Sequence, residues 1–271
     1  MRTFFTIILF FGLGILSHAQ GISLKQKIKV IPGHYQSFSI DNLDNIYLLS
    51  NSNLLKKYNA DGDSVSVFNE VKKYGQVSLI DVSNPLKILL YYKGFSTIAI
   101  LDGMLNLKNK IDLRRKGIFN ASAAGLSYDG KIWLYDEAEN VLKKLDDEGN
   151  TIFKTADFRQ LFSKALNPVK IFDQNQFIYM YDPLQGIYVF DYYGTYKNKI
   201  DITNWNHLNI TNKYITGTGN KKLFRYDISS LQTKNWSLPA ELSDFTQIFL
   251  KNDLLYILEK EGLTIYLTEI N

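Results

Sequence analysis

The carboxylates of this chain fall in tight runs, notably Asp146-Asp147-Glu148 and the pair Glu137 and Glu139. Acid–base catalysis by two carboxylates needs them opposed across a cleft, a geometry that neighbours in one turn cannot reach. The stretch Asn59-Ala60-Asp61-Gly62-Asp63-Ser64 has the composition of a calcium loop. It lacks the ligand spacing and terminal bidentate glutamate of an EF-hand, and reads instead as a turn. There is no cysteine, and beyond the first twenty residues the only histidines are His34 and His207. Zinc takes Cys and His in compact sets, so no zinc site is expected, and no cofactor is assigned. No phosphate-cradling glycine loop, Gly-x-Ser-x-Gly elbow or His-Glu-x-x-His motif occurs. No catalytic residue and no metal ligand is assigned.

Binding chemistry remains. Arg114, Arg115 and Lys116 form the one compact basic cluster. The lysine pairs at 56–57, 72–73, 143–144 and 221–222 lie on strands or links, where alternation sends their members to different sides. That pattern does not build a nucleic-acid face, and no nucleic-acid partner is expected. Trp205 with His207, and Tyr35 with His34, precede two strands that the repeat pattern makes innermost. Rings at such places can stack on a sugar or anchor a peptide. Asp136 and Asp182 follow equivalent strands and suit capping of local amides, with ligand binding as the alternative. Trp133 and Trp236 fall inside strand patterns and read as core.

These residues are ordered by a repeat. Aliphatic–aromatic strands recur at Ile46–Leu49, Ile88–Tyr91, Ile132–Tyr135, Ile178–Tyr181, Tyr214–Thr216 and Leu255–Leu258, with starts 42, 44, 46, 36 and 41 residues apart. A second marker keeps step at Tyr58, Leu101, Leu145, Phe190, Tyr226 and Tyr266. A period of this length in strand-forming chemistry predicts propeller blades, six of them. The third repeat is the clearest: a turn at Tyr128-Asp129-Gly130, a strand to Tyr135, a polar loop at 137–140, a strand at 141–145, then the turn Asp147-Glu148-Gly149-Asn150.

This hairpin grammar, best matched at 41–63 and 129–151, resembles the NHL-type repeat of TolB-like six-bladed β-propellers. The resemblance implies an all-β fold and little about activity, because the motif is structural. Six-bladed propellers also include sugar lactonases. That likeness would call for acidic ligands around a central metal, with Asp41, Asp81 and Asp173 as the candidates at inner-strand ends. These recur at the inner hairpin turns, the mouth opposite the usual site.

The first nineteen residues read as a cleaved signal peptide: a basic start, the apolar run Phe4–Leu16, and Ser17-His18-Ala19 as the cleavage site. No later stretch has the length of a membrane helix, and without cysteine there is no lipobox. Residues 20–271 then form one propeller. The last repeat lacks a fourth strand. Residues 22–30 alternate, with Ile22, Leu24, Ile28 and Val30 on one face, and are expected to supply it, closing the ring. Residues 155–168 predict a short helix capped by Asp157, with Phe158, Leu161, Phe162 and Leu166 on one face as a lid. The whole reads as an exported, non-enzymatic binding module of the bacterial periplasm or cell envelope, recognising a protein or glycan on its loop face. The alternative is a lactonase-like hydrolase or lyase with a metal in the channel.

Overall fold

The computed structural model describes residues 21–242 and 244–270. The expected signal peptide lies outside them. They form six four-stranded antiparallel sheets, the blades of a β-propeller. The inner strands, in blade order, are Tyr35–Ile40, Leu79–Asn84, Ala121–Leu126, Lys170–Gln174, Asn206–Ile210 and Gln247–Lys251. Each blade continues outward through consecutive antiparallel strands, and the sixth alone departs from sequence order. Its outer strand is Ile22–Pro32, paired with Gly262–Ile270 in a ladder running from Ile22 opposite Ile270 to Pro32 opposite Gly262. The ring is therefore closed as the alternation implied.

The closing strand differs in one detail. Lys25 and Ile28 are extra residues with no opposite number in the ladder, and each bulge turns the following side chains over. Ile22 and Ile31 are buried, whereas Ile28 and Val30 are about half exposed, at 48% and 49%. Blade 5 also departs slightly from the sequence reading. Ile215 pairs with Tyr226 as Ile178 pairs with Phe190, so the strand is set by Ile215, and Gly219 takes the place held by Asp182 in blade 4.

A four-stranded blade is apolar on both faces and must be covered on both. Six separate hydrophobic clusters do this, one in each seam between neighbouring blades. Each fully buried Leu, Ile or Phe contributes roughly 1.5–3 kcal/mol, so stability is distributed around the ring. The tyrosines that end three of the repeat strands add a polar tie to three of these seams. The Tyr91 hydroxyl donates to the Ala121 carbonyl at 2.9 Å, Tyr135 to Leu166 at 3.1 Å, and Tyr181 to Trp205 at 2.8 Å. The acidic turns are structural in the same way: Asp146 accepts from the Glu148 and Asn150 amides, and Asn59 accepts from the Asp63 amide.

The expected helix is present at Phe158–Phe162, with the Asp157 carboxylate accepting from the Arg159 amide. It is little more than one turn and holds Phe158, Leu161 and Phe162, while Leu166 lies beyond its end, so the expected four-residue face is not formed. Phe158 is fully buried and stacks between Tyr135 and Phe190, while Leu161 is half exposed. Phe162 meets Tyr188 and Tyr196. The helix seals the seam between blades 3 and 4.

Closure can be tested at a glycine. Gly262 has φ +142°, and a Cβ there would lie 2.3 Å from the Ile31 carbonyl oxygen; Gly130, at φ +77°, has nothing within 4 Å. Gly262→Ala is expected to lower unfolding free energy by at least about 2 kcal/mol and Gly130→Ala by about 1 kcal/mol, read from denaturant midpoints. Equal losses would show that the closing ladder tolerates displacement.

Candidate ligand-binding site

The inner strands line the central channel. Links between blades, and loops between second and third strands, converge at one mouth; the inner hairpin turns converge at the other. The residues singled out from sequence separate into two groups here.

Tyr35, Asp136 and Asp182 are bound up in the fold. Tyr35 is buried between blades 6 and 1, its hydroxyl donating to the Pro32 carbonyl at 3.1 Å and lying 3.3 Å from the Tyr58 hydroxyl. Burial, reinforced by Tyr58, pushes its phenol well above the ordinary range. Asp136 is 1% exposed, accepts from the Ala138 amide, and pairs with the Lys143 ammonium at 2.7 Å. Burial pulls Lys143 down, but its bonds to Asp136 and Glu139 outweigh that and hold it above its usual value. Breaking such a buried pair from one side costs roughly 3–5 kcal/mol. Asp182 is as buried and accepts from the amides of Asn167, Leu184 and Gln185, joining two loops.

Arg114, Arg115, Trp205 and His207 remain open to solvent in different degrees. The Arg114 guanidinium donates to Ser96 Oγ and to the Gly94 carbonyl, both at 3.3 Å, tying one loop of blade 2 to the link that follows it. The Arg115 side chain is 86% exposed and reaches Asp112 at 3.4 Å. Trp205 and His207 come together in a cavity of about 460 Å³ between blades 4 and 5, which Lys170, Tyr181, Asn204 and Asn206 also line. The Arg114–Lys116 segment does not reach this cavity.

Each wall of the cavity is fixed by an identifiable contact. Trp205 stacks on Phe224 at 5.0 Å and lies over Gly217, where an added Cβ would meet its ring at 3.0 Å. The Tyr181 hydroxyl accepts from the Trp205 amide and donates to its carbonyl, so the indole is held at both sides of its own backbone. His207 spans the seam to blade 6. Its Nε2 faces the Thr246 carbonyl at 3.0 Å and its Nδ1 faces Thr218 Oγ1 at 2.9 Å. A carbonyl can only accept, so Nε2 carries a proton and donates to it. Lys170 Nζ donates to the Leu208 carbonyl at 3.2 Å and lies over the Phe172 ring at 5.8 Å.

Lys170 was not singled out by the sequence reading, although it begins an inner strand. It keeps solvent contact along the channel while protein crowds it. Burial lowers its ammonium from the ordinary value, only partly opposed by the Asp81 charge. Burial likewise raises Asp81, against the pull of its bonds from the Leu126 and Ser83 amides. Desolvation thus shifts Lys170, Asp81 and His207 toward their uncharged forms.

The acidic candidates at the opposite mouth do not converge. Asp41 accepts from the Leu43 and Asn45 amides and from Tyr47, and Asp173 from Ser127, the Tyr128 amide, Trp133 and Tyr192. Among the described residues no group of three or more His, Cys, Asp or Glu is placed to hold a metal ion. No helix among them is long and apolar enough to cross a membrane.

The His207 clamp has a pH signature. Burial lowers His207 below its ordinary 6.5, with the Thr246 carbonyl only partly opposing. The unfolded chain then takes up a proton more readily than the folded one. Stability is full above about pH 6.5 and falls as pH drops through the interval below it. His207→Gln is expected to remove up to about 1.4 kcal/mol of the difference in unfolding free energy between about pH 7.5 and about pH 5.5. An unchanged difference would mean that the imidazole titrates freely.

No protein-family model matches the chain, and no curated protein matches it. Solved structures do. Virginiamycin B lyase from Staphylococcus aureus superposes with a TM-score of 0.58 at 14% identity, over 92% of this chain and 100% of that one. A protein described as exported, from Bacteroides fragilis, superposes with a TM-score of 0.58 at 11% identity, over 93% and 94%. The Neurospora crassa Pan2 WD40 domain reaches a TM-score of 0.61 at 8% identity, over 86% and 88%. At these identities the likeness is one of fold: an all-β ring shared by proteins with unlike names.

Proposed function

We propose that this protein is an exported, non-enzymatic binding module of the periplasm or cell envelope, and that it recognises a protein or glycan partner through its loop face. The observation that carries the reading is the cavity between blades 4 and 5. Trp205 offers an aromatic wall, His207 and Lys170 line the same space, and Asn204 and Asn206 supply amides at its rim. A rigid aromatic surrounded by adaptable hydrogen-bonding groups is the chemistry of an anchor for a sugar ring or a peptide side chain. Arg115 lies elsewhere, on a link between blades, and would add rim charge rather than depth. The apolar leader read from the sequence and the absence of cysteine suit export without a lipid anchor. The resemblance of the hairpins to NHL-type blades supports the scaffold and leaves the ligand open. A lactonase-like or lyase reading needs free carboxylates at the channel. Asp41 and Asp173 are saturated by amide and hydroxyl donors, and Asp81 accepts from two amides.

Photo-crosslinking in cells tests the face. A crosslinking residue at Asn206 or Arg115 is expected to capture a partner, and one at Tyr193, in an outer hairpin turn, is not. Trp205→Ala should reduce capture from Asn206 by about tenfold, the loss of one aromatic anchor. Capture from Tyr193 alone would overturn the choice of surface. Elemental analysis of the purified protein tests the alternative: one calcium ion per chain would overturn the non-enzymatic reading.

A further inference from the structure

A second cavity lies across the seam between blades 5 and 6, on the side of the ring that carries the inner hairpin turns. It measures about 560 Å³ and is lined by Arg225, Lys234 and Trp236 of blade 5 and by Asp253, Thr268 and Glu269 of blade 6. Arg225 and Lys234 are directly opposite each other on adjacent antiparallel strands. Two like charges in that position repel, and a sheet normally places an opposite charge nearby. Among the described residues, no hydrogen-bond acceptor and no carboxylate within 4.0 Å serves either of them, and the nearby Glu269 is paired with Lys25.

The Arg225 guanidinium is nonetheless flanked by aromatic rings. It lies between the Tyr214 ring at 4.7 Å and the Trp236 ring at 4.9 Å, and Trp236 is only 4% exposed. The two rings flank the guanidinium, and its N–H donors have no acceptor among the described residues. A planar fork flanked by two rings, with unfilled donors, suits a carboxylate, which it can bind with two parallel hydrogen bonds. Asp253 lines the same cavity and disfavours a polyanion, so one negative charge suits the space better than several.

We infer that the cavity between blades 5 and 6 is a binding site for a monocarboxylate group, gripped by Arg225 with Lys234 beside it. The site is separate from the loop-face cavity and does not depend on it.

The indole N–H resonance of Trp236 is the reporter, since the chain has three tryptophans and Trp236→Phe assigns it. The probes are N-acetyl-Ala-Ala with a free carboxylate, the same peptide as its C-terminal amide, and acetate. The free acid is expected to shift the Trp236 resonance saturably, leaving those of Trp133 and Trp205 in place. The amide is expected to do nothing. Arg225→Gln should weaken the response at least about tenfold, the loss of a bidentate charged pair. Acetate binding as tightly as the peptide would assign the site to small acids, and much weaker binding to a polypeptide terminus. If Arg225→Gln does not fold, Arg225→Lys keeps the charge without the fork and should still bind more weakly, while Lys234→Gln reports the flanking charge. No saturable shift, an equal shift from the amide, or an unchanged response in a folded Arg225 variant would overturn the inference. So would a response to the free acid that appears only when the chain is extended beyond Asn271, because the chain's own carboxylate would then be the occupant.

Discussion

Every blade in this protein has two apolar faces, and neither can be left to water. That constraint organises the molecule. A row of sheets satisfies it everywhere except at the ends, and a ring satisfies it completely. Six seams each bury a cluster of side chains, and they resemble one another closely enough that no single seam dominates. The pairing of Ile22–Pro32 with Gly262–Ile270 is different in kind, because it joins residues about as far apart in sequence as the chain allows. Forming it carries a large loop-closure entropy, which the last seam repays through Ile31, Tyr35, Phe38, Leu258 and Leu263.

The same geometry decides which polar groups are free to act. A seam needs hydrogen bonds as well as packing, and the tyrosines, aspartates and turn asparagines of the repeat supply them. Asp136, Asp173 and Asp182 are therefore architectural. The two cavities lie where the polar ties run otherwise. Between blades 4 and 5 a lysine and an indole stand at the channel mouth, and between blades 5 and 6 an arginine lies between two rings with no ion-pair partner among the described residues. Both sites sit in seams, so a ligand at either would touch two blades at once.

The blades were legible because hairpin chemistry is local: an aliphatic–aromatic strand, a glycine or asparagine turn, and a second marker forty-odd residues later. What was not local was read less well. The bulges at Lys25 and Ile28 depend on the partner strand, and nothing within 22–30 betrays them. Leu161 followed the helical period, but the helix ends a residue later, so the face was never extended to Leu166. Trp205 and His207 could be named because they precede an inner strand. Lys170 could not be joined to them, since their meeting depends on the register between two neighbouring blades. The Arg225 clamp was invisible for a similar reason: Tyr214 and Trp236 belong to two different strands that flank its own.

The direction of the closing ladder has a mechanical consequence. Ile22 faces Ile270, so the two strands enter the pair from the same end. A force pulling these residues apart would peel the rungs successively, each carrying the load alone, instead of shearing all of them together. The seam is thus strong against heat, where every rung must fail cooperatively, and weak against tension. Held at one end only, the ring feels no such load; stretched between two attachments, it would open first at its own clasp.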